Sequence, residues 1–217
     1  MPTITQVEKQ PRRERVNVHL DGRYAFSLAL LVAEEAGLRP GLELAEDQVE
    51  ALKRRDDAHR AVDRALNFLS FRPRSESEVR RNLTKAGIGP EEVDRTLVRL
   101  REIGLLDDAA FARYWSDNRA TFNPRGRRAL AAELFQKGVP RATIDETLGD
   151  DRDETALAIA AGRKKLRALT GLDQRQFREK LSAYLARRGF DYEVVREAAR
   201  VLWEEVAPGE RIEDLND

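Results

Sequence analysis

The chain of 217 residues has no cysteine, one methionine, two histidines and only 6% aromatic residues. Lack of cysteine excludes disulfides, thiolate-bound zinc and a cysteine nucleophile, and fits a reducing cytosol. No signal peptide is present and no apolar run approaches the roughly 18 residues of a membrane helix, so a soluble, cytoplasmic protein is expected. There is no glycine-rich phosphate loop, no paired-histidine metal signature and no nucleophile elbow, which gives an enzyme or a cofactor no positive support. His19 and His59 stand alone. Asp107-Asp108 follows GLL and precedes AAF, the setting of a helix N-cap with a favourable first-turn charge rather than of an acid-base pair. Scarce aromatics also argue against one bulky core and for helices packed in thin layers.

Charge is abundant but balanced, with 39 basic and 39 acidic residues. Zero net charge disfavours a simple nucleic-acid coat protein, yet the signs are segregated. Residues 119–141 carry six basic and one acidic residue, and 163–190 carry nine and two. Residues 145–154 reverse this with six acidic and one basic, a count repeated by the tail 204–217. Arginine outnumbers lysine 32 to 7; it suits bidentate contact with phosphate or carboxylate, although a GC-rich genome produces the same bias.

The N-terminal stretch RVNVHLDGRYAFSL alternates apolar and polar residues around Asp21-Gly22 and predicts a β-hairpin. A strict two-residue loop would pair Val18 with Ala25. A three-residue loop, Leu20-Asp21-Gly22, pairs Val18 with Tyr24 and Val16 with Phe26, and is preferred. TITQV supplies a candidate third strand, since an isolated hairpin is marginal. Ser27 is expected to cap a short helix ending at Gly37, and a further helix is expected over 44–55.

From about residue 58 the pattern is helical and copied. Gly87, Gly138 and Gly189 lie 51 residues apart, twice over, and each precedes an apolar residue (Ile88, Val139, Phe190). That is a glycine C-cap with its hydrophobic contact. Leu83, Leu134 and Leu185 share the register, as do Val79, Leu130 and Leu181, and Val93, Ile144 and Val195. The fold class is therefore mainly α: three tandem three-helix units of about 51 residues in an elongated, curved array, with a small N-terminal β-hairpin or sheet. Boundaries are expected at 1–57 for the hairpin and short helices, then 58–107, 108–152 and 153–217, the last with the acidic tail. Predicted helices are 58–70, 75–86 and 90–103; 108–121, 126–137 and 141–148; 153–170, 174–187 and 191–206. Ser75 with Glu78 makes a capping box, and Asp173 caps the middle helix of unit three.

Three basic groups are the candidate binding residues: Arg72, Arg74, Arg80 and Arg81; Arg125, Arg127 and Arg128; Arg163, Lys164, Lys165 and Arg167. A solvated face with local pairs to Glu76 and Glu78 accounts for many individual arginines. It does not account for basic character recurring near the start of the middle helix in units one and two, which suits an anionic backbone or a polymer of acidic subunits. Leu83, Gly87 and Val93 also match helix-turn-helix spacing, but leucine is bulky where that motif takes a small residue, and a tandem triplicate is unlike a dimeric DNA reader. Tyr114 and Trp115 could stack bases, but next to Phe111 they read as repeat-to-repeat packing.

RPRSESEVRRNLTKAG, GLLDDAAFARYWSDNR, RGRRALAAELFQKGV and FREKLSAYLARRGFDYEVV together resemble the RecX family, regulatory proteins of the bacterial recombinase RecA. The resemblance covers roughly 58–205 and extends more loosely to SLALLVAEEAGLRPGLEL; the phrase from Gly104 to Ala112 is its most specific part. It implies tandem three-helix units, binding to the RecA–single-strand DNA filament in its groove, and reduced ATPase, strand-exchange and coprotease activities. It implies no catalytic residue. Weaker direct contact with single-stranded DNA, and a helical scaffold for some other protein, are the alternatives; a monomer is expected.

Overall fold

The computed structural model describes residues 1–149 and 152–206; Asp150-Asp151 and the acidic tail from 207 onward lie outside the described residues. Two compact bodies divide the chain, Met1–Leu106 and Asp107–Asp217. The first opens with a three-stranded antiparallel sheet in the order β1 (Ile4–Lys9), β2 (Arg15–Leu20), β3 (Arg23–Ala29), so TITQV does supply the third strand. The hairpin departs from the expected register. Val18 faces Phe26 and Val16 faces Leu28, while His19 faces Tyr24. Asp21 and Gly22 both have positive φ (48° and 79°), which makes a two-residue primed turn suited to the strand twist. The extra residue enters as a bulge between Val18 and His19 instead of at the turn. That bulge keeps Val16, Val18, Phe26 and Leu28 buried on one face and leaves Tyr24 in solvent, 60% exposed.

Ser27 is not a helix cap. It lies in β3, where its carbonyl accepts from Arg15 Nη2 at 2.9 Å, and α1 spans Leu30–Glu35 before Gly37 turns the chain at φ 61°. The helices expected at 44–55 and 58–70 are one continuous helix, α2 (Glu46–Leu69), so the boundary expected at 57 falls inside a helix. No glycine or proline interrupts this stretch, and Asp56 is occupied by tertiary partners rather than by a cap. Its carboxylate takes both Nη atoms of Arg15 (2.8 and 3.2 Å) and the Ala29 backbone N–H at 2.6 Å. A 5% exposed carboxylate thus has its acceptor capacity filled, as burial requires. Leu52 on the first half of α2 packs into the sheet cluster; Ala61 and Ala65 on the second half pack into repeat one.

Repeat one adds α3 (Glu76–Lys85) and α4 (Pro90–Glu102). Ser75 and Glu78 form the reciprocal capping box. Repeat two is α5 (Asp108–Phe122), α6 (Arg127–Gln136) and α7 (Arg141–Thr147), and Asp107 caps α5 by accepting from the N–H groups of Ala109 and Ala110. Repeat three is α8 (Glu154–Arg163), α9 (Gln174–Arg187) and α10 (Tyr192–Val206), with Asp173 Oδ1 accepting from Gln176 N–H. The first helix of this unit stops well before 170; a 3-10 turn over Leu166–Leu169 follows. The break drops Leu169 into the repeat-three core beside Phe177 and Leu181, which a straight helix would not do.

All three glycine columns adopt left-handed backbone, φ 78°, 82° and 83° at Gly87, Gly138 and Gly189. Each turn closes by the same two bonds. The glycine N–H reaches the carbonyl three residues back, and the next residue's N–H reaches the leucine five back: Ile88 to Leu83, Val139 to Leu134, Phe190 to Leu185. This is the Schellman arrangement with its apolar contact. Leu83, Leu134 and Leu185 are each 0% exposed. Repeats two and three also meet backbone to backbone. Gly126 N–H donates to the Arg188 carbonyl at 3.0 Å, and a Cβ on Gly126 would lie 2.3 Å from the Gly189 oxygen.

Replacing Asp56 with alanine is expected to destabilise the first body by roughly 3–5 kcal/mol, since Arg15 loses its only buried counter-charge, and urea unfolding measures this. Leu134→Asp should cost several kcal/mol through an unpaired buried charge; a melting temperature close to wild type would show the inward face of α6 to be misassigned.

Candidate functional site

The eleven basic candidates are not one surface. Arg72 makes a bidentate pair with Glu78 (2.9 and 3.2 Å), which reinforces the capping box of α3. Arg74 lies over the Phe68 ring at 4.0 Å and donates to the Phe68 carbonyl. Arg80 bridges to Asp94 at 2.5 Å and to Glu76 at 3.8 Å. Arg81 donates to the Ser77 carbonyl on its own helix. On α4, the helix that would read DNA in a helix-turn-helix, the first turn carries Glu91 and Glu92, which repel phosphate. Leu83 and Val93 are core.

In repeat two, Arg125 faces inward. Its Nε stands 3.5 Å from Glu133 Oε1, and Glu133 also accepts from Arg119 Nε at 2.7 Å and Trp115 Nε1 at 2.8 Å. Trp115 stacks on Phe111, with Arg119 and Lys137 over its ring at 4.3 and 4.0 Å. The indole belongs to the core within repeat two, and is neither a base platform nor a contact between repeats. Arg127 is half-buried and its backbone N–H donates to Glu154. Arg128 is exposed.

The 163–167 run serves repeat three and its joint with repeat two. Arg163 forms a bidentate pair with Glu205 (2.6 and 3.2 Å), which raises its own pKa, through the hydrogen bond first and the charge second, and lowers that of Glu205. Lys164 Nζ donates to the Phe122 carbonyl at 2.9 Å, and Lys165 lies 5.9 Å above the Tyr184 ring. Arg167 is exposed. Only some of these cations are therefore available to a partner, and in repeats two and three these are Arg128 and Arg167.

Arg128 borders two grooves. One, of about 480 Å³, runs between α6 and α7 past Phe135 and Arg141. The larger, about 860 Å³, lies between α6, α9 and α10. Its floor is apolar, formed by Ala183 and Ala186 of α9 and by Val195 and Ala199 of α10, with Phe190 at the turn. Its rim holds Arg128, Arg178, Arg196 and Arg200, and Tyr192 stands beside it 75% exposed. Arg196 pairs with Glu193, and Arg200 with Glu197 and Glu204, all on α10. The hydrogen bond from Arg200 is the largest influence holding the Glu197 carboxyl below its ordinary pKa. Arg178 is not among the candidates expected from the sequence. The signal existed: Arg178 falls 51 residues after Arg127. Among the described residues no group of three or more His, Cys, Asp or Glu is arranged to hold a metal, and no helix is long and apolar enough to cross a membrane.

Arg125→Ala should lower the melting temperature of the second body, because Glu133 loses a partner beside Trp115, whereas Arg128→Ala should leave it unchanged. Circular-dichroism melts of the two variants distinguish a packing arginine from a surface one.

Comparison with known proteins places this geometry. Family models for the first, second and third three-helix domains of RecX match residues 61–100, 107–148 and 152–199. The chain is 32% identical over 198 residues to the regulatory protein RecX of Lactobacillus johnsonii, covering 89% of this chain and 72% of that protein. With the regulatory protein RecX of Bacillus subtilis it is 31% identical over 201 residues, covering 91% and 76%. Among solved structures it resembles a crystal structure of regulatory protein RecX, with a TM-score of 0.69, 29% identity, and coverage of 92% of this chain and all of that one. RecX from Lactobacillus salivarius gives a TM-score of 0.62 at 20% identity over 68% of this chain and 97% of its own, a likeness of fold alone.

Proposed function

The chain belongs to the RecX family of regulatory proteins, and from that premise we propose that it binds the RecA–single-strand DNA filament and restrains its ATPase, strand-exchange and coprotease activities. It acts by occupancy, as a cytoplasmic monomer without catalysis, and so modulates recombination and repair. The observation that carries the reading is the triplicated unit itself, each copy turning on the same glycine and leucine, with cationic rim residues left at the surface of repeats two and three. A recombinase filament on single-stranded DNA is a repeating, anionic target. A protein built of repeats can meet such a target at several points, and several modest contacts acting together hold it more tightly than any one of them.

Charge supports the same division of labour. Many of the arginines are paired with carboxylates within the fold, as the pairs to Glu78, Asp94, Glu133 and Glu205 illustrate. Zero net charge, with carboxylates beside many of the guanidinium groups, gives no general positive field, which favours a defined protein-bearing target over bare nucleic acid.

Titrating the protein into the DNA-dependent ATPase of the cognate recombinase, preassembled on single strands at moderate salt, is expected to give inhibition below one copy per recombinase while naked-strand binding stays weak. Absence of inhibition would remove the reading. Tight naked-strand binding with a steep salt slope would replace it with competition for single-stranded DNA.

A further inference from the structure

We infer that the groove between α6, α9 and α10 is a docking site for an acidic segment of a protein partner, one that carries apolar side chains for the floor and carboxylates for the arginine rim. The inference rests on the filament-regulator reading and names the chemistry of the partner's segment.

Three properties of the groove carry it. The floor is made of small residues, Ala183 and Ala186 facing Val195 and Ala199, so it is both apolar and open; a cleft of about 860 Å³ admits one or two side chains of an entering peptide. Around it, guanidinium groups come from three different helices: Arg128 on α6, Arg178 on α9, Arg196 and Arg200 on α10. Arg128 and Arg178 have no carboxylate within salt-bridge distance among the described residues, while Arg196 and Arg200 are satisfied only by neighbours on their own helix. Exposed pairs of that kind are weak, so an incoming carboxylate exchanges with them at little cost. Finally, Tyr192 projects beside the floor, 75% exposed, an amphipathic ring of the sort that protein interfaces favour.

The same observations weigh against a polynucleotide in this groove. Glu197 lines the α10 side of the groove, and Glu193 and Glu204 pair with the rim residues Arg196 and Arg200. A continuous phosphate backbone would run past all of them, and its bases would find a single aromatic ring. A peptide places its carboxylates discretely, at Arg128 and Arg178, and covers the apolar floor that phosphate would leave wet. Arginine binds carboxylate bidentately and with defined direction, so charge and shape select the same occupant.

The test uses the full chain, 15N-labelled, with three probes. The first is a blocked, helix-forming synthetic peptide with leucine at i, i+4 and i+7 and glutamate between them. The second is the same peptide with serine in place of leucine, and the third is an oligothymidylate. Expected is saturable binding of the first peptide, amide shifts confined to α9, α10 and the start of α6, and weaker binding of the serine version. Arg178→Glu should weaken binding about tenfold or more by charge reversal against the peptide. Ala183→Trp, which fills the floor and removes no charge, should also abolish the shifts. A helical circular-dichroism spectrum and an unchanged melting temperature establish that both variants are folded. The inference is overturned if the peptide does not bind, if its shifts map elsewhere, if neither variant affects it, or if oligothymidylate shifts the same amides and displaces it. Inhibition of the recombinase by the wild-type chain tests the underlying reading separately. If wild type inhibits and both variants inhibit equally, the regulator stands and the groove assignment fails. If the peptide binds in the groove but wild type does not inhibit, the groove stands and the recombinase is the wrong partner.

Discussion

Everything after residue 60 depends on a single local device used three times, a helix that ends in a left-handed glycine and folds its next apolar residue back onto a leucine one turn inside. The device fixes the direction in which the following helix leaves. At Gly87, Gly138 and Gly189 the backbone sits at φ 78–83°, a region that costs other residues steric strain. The leucine at each site is wholly buried, so the turn and the core are one feature. Losing the glycine misdirects a helix, and losing the leucine empties the centre of the unit. At Gly189 a second demand is added. A Cβ there would stand 2.4 Å from the Ala129 nitrogen, because α6 of repeat two begins against this turn. Arg188, immediately before it, donates to Asn123 Oδ1 and the Pro124 carbonyl and lies over Tyr184. The turn that closes repeat three thus also joins it to repeat two, and the groove inherits its geometry from that joint.

The first body shows a different solution to the same problem of burial. A three-stranded sheet leaves its one apolar face open to water, at a cost in hydrophobic free energy, and α1 with the first half of α2 covers it. The second half of the same helix begins repeat one. Continuity across Asp56 is possible because the carboxylate is satisfied by Arg15 and the Ala29 N–H, groups contributed by the sheet. The Arg15–Asp56 pair is therefore the anchor holding a long helix to two cores.

What the sequence makes legible and what it hides follow from how local each cause is. The glycine turns, the buried stripe, the Ser75–Glu78 box and the Asp107 and Asp173 caps are each decided within a few residues, and each is readable. The hairpin register was not, because the position of a bulge is chosen by which strand face the helices cover. Nor was the union of two expected helices into α2, since the reason lies in Arg15, forty-one residues from Asp56 along the chain. The partners of the basic residues are equally hidden. Arg125, Arg163 and Lys164 find partners in Glu133, Glu205 and the Phe122 carbonyl, and pairings across a fold leave no trace in the composition of a segment.

The repeat register nevertheless explains where surface charge survives. Positions 76, 127 and 178 are equivalent and read Glu, Arg, Arg. Glu76 is the first residue of α3, where its carboxylate pairs with Arg80 and Arg101 and suits the positive end of the helix. Arg127 is likewise the first residue of α6, half-buried beside the entry to repeat three. Arg178 differs because α9 starts at Gln174, one turn earlier in register, with Asp173 as its cap. The same position is thereby moved from the end of a helix to its flank, away from the capping network, and set on the rim of the groove. A shifted helix start, which in sequence reads as decay of the repeat, is in three dimensions the change that frees a guanidinium group for a partner. The third unit departs from the pattern where a binding surface needs it to.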